Sequence, residues 1–488
     1  MLISNPCAGM IFAAKIRSLY SVMNKLLISI LCLPAAVLSA MAQKPVEAAP
    51  EPVLLTLEQA IQTALSENAS VRIADLEIER TGYARKGSYA ALFPQIDGSG
   101  SYQRTIKKQV MYMDFDMSAL GGGGGDEGGS SRSRDGFEVG RWNTWSTGVS
   151  ASMPLVNAQL WKNITISGQD VEMAVEKARS SRLETVTQVK KAFFGVLLAK
   201  EAFEVYKSVY ENALENLELT QKKFNAQRAS ELDLTRAKTT LANAIPNVYD
   251  SENAVEIGLW QLKAVMGVDL DSAVDVAGSL LDYASQMQET LYPDEGLEGN
   301  SSLRQLAIQA EQLANTIKLQ QYASLPSLAL GFNYSVNAMA NDYNFSEYKW
   351  SPYSYVGLSL SIPIFAGGKR HNAVKAAQVQ ARELDIQRTN TERQLQIAIR
   401  QYLGTMETAG KSYASASSAV ETATKAYDIA RKSYEVGRST LTDLGDAQLA
   451  LTQSRLGVCQ AIYSYLSARS DLEGTLGADF TDNHTVNE

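Results

Sequence analysis

The sequence predicts a mainly α protein that carries membrane-type β-strands. It is organised as two structural repeats, each a strand pair plus long coiled-coil helices. Three observations predict this. First, "KFNAQRASELDLTRAK" (223–238) and the stretch opening "YEVGRSTLTDLGDAQ" (434–448) repeat one another. Phe224 falls on Tyr434, Arg228 on Arg438, Asp233 on Asp443, Leu234 on Leu444 and Ala237 on Ala447, all 210 residues apart. Second, several short stretches alternate strictly between apolar and polar residues. Third, no proline interrupts about 159–245 or about 366–435, where Ala, Glu, Gln and Arg dominate.

Composition limits the function. The 488 residues are 45% hydrophobic with a net charge of −8, which supports a sizeable core and argues against a nucleic-acid partner. The two histidines, His371 and His484, and three cysteines, of which only Cys459 lies beyond residue 42, predict neither a metal site nor a disulfide framework. No cofactor is expected. His371 is read as a solvated residue where strand passes into helix, and Asp126 and Glu127 as part of a solvated glycine loop.

Residues 1–42 read as a signal peptide. Lys25 precedes an apolar core from Leu26 to Leu38, and Ala40-Met41-Ala42 supplies the small-residue cleavage pattern. Met23 begins a complete signal, so residues 1–22 read as an upstream extension. Cys32 follows Leu31, the wrong context for lipidation. The first repeat is placed at 43–267, a connection at 268–300, the second repeat at 301–477 and a polar tail at 478–488. Pro94 and Tyr102 match Pro326 and Tyr334 at a spacing of 232, whereas Gly148 and Pro154 match Gly357 and Pro363 at 209. The first repeat therefore holds a surplus in about 105–141, where "GGGGGDEGG" (121–129) predicts a flexible solvated loop.

Strands are expected at about 95–105, 142–153, 327–337 and 353–362. Leu328, Leu330 and Phe332 alternate with Ser327, Ala329, Gly331 and Asn333, and Val356, Leu358 and Leu360 with Tyr355, Gly357 and Ser359. Period two fits a barrel strand, apolar toward lipid and polar toward the lumen. The polar face is Ser, Gly and Asn rather than Lys and Glu. Trp142, Trp145, Trp350, Tyr353 and Tyr355 read as an interfacial girdle. Four strands cannot close, and an open edge in lipid leaves backbone groups unsatisfied, so the chain must oligomerise. Polar helices of about 65 residues span roughly 100 Å and are stable only when packed side by side.

"LTLEQAIQTALSENASVRIADLEIERTGYARKGSYAALFPQIDGSGSY" (55–102), "SIPIFAGGKRHNAVKAAQ" (361–378) and "YEVGRSTLTDLGDAQ" together resemble the TolC-type outer-membrane efflux proteins. The resemblance covers about 54–477. It implies a homotrimer whose twelve-stranded barrel sits in the outer membrane and continues as a periplasmic α-helical tunnel. It also implies a passive exit duct for tripartite efflux or type I secretion, with a periplasmic adaptor, an inner-membrane pump and outer-membrane lipid as partners.

The breaks at about 227–233 and 437–443 are then hairpin tips at the far periplasmic end. Gly437 supplies a left-handed residue. Ser230 with Asp233, and Thr440 with Asp443, form caps for the following helices. Gln227 stands where the family usually has glycine. The resemblance assigns Gly437, Arg438, Ser439, Thr440, Gln227 and Ser230 to the tip turn and adaptor contact. It implies that the tips close the tunnel at rest, and Asp443, Asp446, Asp233, Arg236 and Arg228 are read as that periplasmic gate, since three copies would gather carboxylates around one axis and Arg236 stands at the repeat position of Asp446. The alternative, a trimeric coiled-coil adhesin or structural envelope protein with a barrel anchor, predicts one C-terminal strand set, whereas strand pairs here interrupt both repeats. An envelope enzyme lacks any nucleophile–base or metal constellation.

Overall fold

The computed structural model describes residues 53–112, 137–288 and 296–477. The expected signal peptide at 1–42, the glycine run with Asp126 and Glu127, and the tail with His484 lie outside the described residues. The chain divides into two compact units, Met1–Val53 with Ala273–Asp275, and Leu54–Ser272 with Val276–Glu488. In the first, the Val53 N–H donates to the Ala273 carbonyl at 2.9 Å. The second carries everything described below.

That unit is mainly helical. Its first repeat runs α1 (Leu57–Glu67), α2 (Ala69–Ala90), β1 (Gln95–Arg104), β2 (Gln109–Met111), β3 (Phe137–Val139), β4 (Asn143–Val156), α3 (Ala158–Asn225) and α4 (Glu231–Met266). The second repeat runs α5 (Ser301–Tyr322), β5 (Ser327–Ala340), β6 (Ser351–Ser361), α6 (Lys369–Glu435) and α7 (Leu441–Leu476). The expected loop at 105–141 is partly structured: β2 and β3 pair antiparallel, with Val110 opposite Glu138. α4 continues through Pro246 despite the lost donor, a cost of about 3 kcal/mol in a helix interior.

Four strands form one antiparallel sheet in the order β1-β4-β5-β6. Its register puts Ile96, Ala151, Phe332 and Val356 in one cross-strand row, and Asp97, Ser150, Asn333 and Tyr355 in the next. Successive residues face opposite sides, so apolar and polar residues separate onto two faces. Val356, Leu358 and Leu360 are 71%, 67% and 61% exposed, and Leu328 and Leu330, on a central strand, are half-buried. The girdle reading needs correction here. Tyr353 and Tyr355 pair with Ser335 and Asn333 on the polar face, whereas Trp145 stacks on Tyr102 at 4.3 Å on the apolar one. β1 and β6 are the two edges.

The core lies where helices of both repeats meet. Val189, Phe193, Val196 and Leu197 of α3, Leu262 and Met266 of α4, and Ile462, Leu466 and Leu472 of α7 are fully or almost fully buried. Charge pairs flank it, Lys190 with Glu473 at 2.8 Å and Lys191 with Asp471 at 2.9 Å.

A duplicated junction brackets this core. Asn68 caps α2 and donates from Nδ2 to the Val265 carbonyl at 2.7 Å. Asn300, 232 residues on, caps α5 and donates likewise to Thr475 at 2.7 Å. Beside them α4 and α7 end at Gly267 and Gly477, both left-handed with φ of 77° and 72°. Asn68 separates α1 from α2, because its side chain accepts from the N–H groups of Ser70 and Val71.

Candidate functional site

The two hairpin tips join α3 to α4 and α6 to α7. Both turns use the same bonds, 210 residues apart. Gln227 N–H donates to Phe224 O at 2.9 Å and Arg228 N–H to Lys223 O at 2.8 Å. Gly437 N–H donates to Tyr434 O at 3.0 Å and Arg438 N–H to Ser433 O at 2.7 Å. Gly437 has φ of 76°, and Gln227 adopts φ of 56°, so glutamine takes the glycine conformation rather than changing the turn. A left-handed non-glycine residue costs about 1–2 kcal/mol. Gln227→Gly is therefore expected to be neutral or slightly stabilising, because relief of strain opposes the entropy of glycine. Gly437→Gln should destabilise by about 1–2 kcal/mol. Denaturant unfolding followed by far-UV circular dichroism distinguishes the two.

The caps follow the repeat as well. Ser230 Oγ accepts from Asp233 N–H at 3.1 Å, and Asp233 Oδ2 accepts from Ser230 N–H at 3.3 Å. Thr440 Oγ1 accepts from Asp443 N–H at 3.2 Å, and Asp443 Oδ2 accepts from Thr440 N–H at 2.8 Å and its hydroxyl at 2.7 Å. The bonds from the Thr440 hydroxyl and N–H hold the Asp443 carboxyl below the usual carboxylate range.

Within the chain, the hairpins are tied together by residues other than those read as the gate. Arg228, Arg236, Arg438, Asp443 and Asp446 are exposed, and among the described residues none of them forms an ion pair within the chain. Other residues make the connection. Tyr434 is 6% exposed and shares a 2.6 Å hydrogen bond with Thr220 of α3. The Lys223 ammonium donates to the Tyr434 carbonyl and lies 3.8 Å from its ring centre. Burial pulls that lysine below its usual value, against the opposing pull of Glu435. Arg431 pairs with Glu215 at 2.6 Å. Beneath them Ala423, Tyr427, Tyr434, Leu444 and Leu451 form a small core, with Leu219 packed against it. The signal in the sequence was the tyrosine at 434 opposite a phenylalanine at 224. Phe224 is 36% exposed, so only the tyrosine carries the contact.

This geometry, two long hairpins on an open-edged sheet, has known counterparts. The family model described as outer membrane efflux protein matches residues 60–268 and 292–478. The outer membrane protein TolC of Vibrio cholerae is 21% identical over 343 residues, covering 68% of this chain and 76% of that protein. The alkaline protease secretion protein AprF of Pseudomonas aeruginosa is 23% identical over 336 residues, covering 67% and 68%. The crystal structure of the Campylobacter jejuni CmeC outer membrane channel superposes with a TM-score of 0.67 at 19% identity, covering 86% of this chain and 85% of that one.

Proposed function

The chain belongs to the outer membrane efflux protein family, and from that membership we propose how it assembles and works. It is an outer-membrane exit duct for efflux or type I secretion, with its tunnel in the periplasm, and it is a passive channel rather than an enzyme. In the proposed assembly three copies close twelve strands into a barrel, and the paired hairpins close a tunnel below it. The tips Gln227, Ser230, Gly437, Arg438, Ser439 and Thr440 meet a periplasmic adaptor, which couples the duct to an inner-membrane pump. One observation carries this reading: a four-stranded sheet with two open edges and one exposed apolar face. In lipid such edges must be paired by further strands.

Labelling tests the orientation of the sheet. Cysteine at Leu330, Leu358 or Leu360 is expected to react with lipid-soluble maleimides in outer-membrane vesicles. Cysteine at Asn333 or Ser359 should react with membrane-impermeant reagents from water. The reverse pattern would refute the apolar face as the lipid face.

A further inference from the structure

The loop that joins β5 to β6 folds back over the apolar face of the sheet. Along that face, β5 runs from Leu328, opposite Leu360, to Ala338, opposite Trp145. Those ten residues, at about 3.4 Å each and tilted by about 40°, rise roughly 25 Å, the height of an outer-membrane barrel's apolar band. Helices α2, α3, α5 and α6 all join the sheet at its Leu328 end, so the Ala338 end faces away from the periplasm. There the loop brings polar groups onto the apolar side. Asn143, one row beyond Trp145, is 1% exposed and donates from Nδ2 to the Asp342 carbonyl at 3.0 Å. Trp142 N–H donates to Asn341 Oδ1 at 3.2 Å, and Phe345 packs edge-on against Trp145 with ring centres 4.9 Å apart.

A hydrogen-bonded chain runs through this cluster, and its direction is fixed. Tyr102 donates its one hydroxyl proton to Asn143 Oδ1 at 2.9 Å. The 2.9 Å bond between Tyr102 and Tyr343 must then be donated by Tyr343. Tyr343 in turn accepts from the Arg104 guanidinium. Arg104 stands on β1 opposite Asn143, the next residue on that face after Tyr102. A guanidinium has several further N–H donors. Among the described residues no carboxylate pairs with it. Asp342 of the loop turns its Oδ1 to the Asn344 N–H at 3.3 Å, and the ion pair of this rim, Lys108 with Glu138 at 3.9 Å, leaves Arg104 out. Lys107 and Arg141 are exposed beside it, their turns held together by the Thr105 N–H bond to the Trp142 carbonyl at 2.8 Å.

We propose that Arg104, held in place by Tyr343, binds the phosphate of a lipid headgroup in the outer leaflet. A guanidinium presents paired N–H groups that match two oxygens of one phosphate. Arg104 stands one row beyond the apolar band, at the depth where headgroups begin. A lipid whose chains lie along Leu330, Phe332 and Val336 therefore brings its phosphate to this side chain. Tyr343 and Phe345, both half-exposed, flank the same spot and supply the amphipathic rings that suit a membrane interface.

This site rests on the outer-membrane reading of the sheet, and the experiment separates the two. Density-gradient fractionation locates the full-length parent, and recovery away from the outer membrane would overturn that reading and the site with it. Full-length protein in a neutral detergent is then titrated with bisphosphorylated lipid A, its dephosphorylated form and inorganic phosphate, followed by microscale thermophoresis. The parent should bind the bisphosphorylated lipid at least roughly tenfold tighter than the dephosphorylated one, and Arg104→Gln should lose that preference. Arg104→Lys keeps the charge without the paired donors and should retain part of it. Arg382→Gln, on α6 outside the sheet, should bind like the parent. An outer-membrane parent without the preference, an Arg104→Gln variant that keeps it, or an equal loss in Arg382→Gln would overturn the site. Inorganic phosphate that binds as tightly as the lipid would overturn the lipid as its occupant. If Arg104→Gln fails to assemble, Tyr343→Phe, which releases Arg104 from its anchor, should lower the preference severalfold, and an unchanged preference there also overturns the proposal.

Discussion

Gly477→Ala is expected to be among the most damaging single substitutions in this chain, although it adds one methyl group. Gly477 sits at φ of 72°, and a Cβ there would collide with the Gly299 carbonyl. The same carbonyls are fixed from the other side: Arg179 donates to Gly299 O at 3.1 Å and to Gly477 O at 2.8 Å. Neither backbone can retreat without breaking those bonds or the Asn300 bond to Thr475. Left-handed strain of about 1–2 kcal/mol adds to about 1–3 kcal/mol of overpacking, so a loss of about 2–5 kcal/mol is expected. Gly267→Ala should behave alike, since its Cβ would lie 2.6 Å from the Glu67 carbonyl and 3.0 Å from Asn68 Cα. Asn68→Ala and Asn300→Ala each remove a cap and a part-buried bond, and should cost less, about 1–3 kcal/mol. Thermal unfolding of the four variants gives the order. Glycine variants no worse than the asparagine variants would show that the junction yields.

The junction was only half legible. Gly267 and Gly477 stand out in the repeat, but Asn68 and Asn300 match at the other spacing and gain their role only when helix ends meet across about 200 residues of sequence, as Asn68 does with Val265. The strands were more legible: β1 and β5 begin where alternation begins, at Gln95 and Ser327, because period two is a local property. Local pattern also separated Tyr355 from Val356, yet reading the tyrosines as a girdle overrode it. At the tips, Gln227 hid a conserved turn geometry, because the surrounding hydrogen bonds hold the backbone whatever the side chain. Tyr434 was legible as a repeat position but not as a clasp; Thr220 and Lys223 reach it from another helix.

The other large effect expected is at the tips. Asp443→Asn with Asp446→Asn should raise resting conductance in a planar bilayer severalfold and weaken cation preference. Within one chain the hairpins are already joined by Tyr434, Lys223 and the Arg431–Glu215 pair, whereas among the described residues Arg228, Arg236, Asp443 and Asp446 form no ion pair. Asp446 is matched 210 positions back by Arg236, so the two tips present opposite charges at equivalent depth. In the proposed trimer, Arg236 or Arg228 of one hairpin can therefore meet Asp443 or Asp446 of a neighbour. An exposed pair contributes only about 0–1 kcal/mol. Three copies opening together must break every such pair at once. Asp443 has a lowered folded-state pKa, so what its charge contributes is present above the unfolded value and lost as pH falls through the folded one. The helix cap that Asp443 makes should therefore hold near neutrality and weaken only as pH falls through that lowered value. Asparagine at 443 can still accept from the Thr440 N–H, so the helix cap largely survives and the charge alone is tested. A double variant that assembles normally yet keeps the parent's small, cation-selective conductance would confine Asp443 to capping its helix.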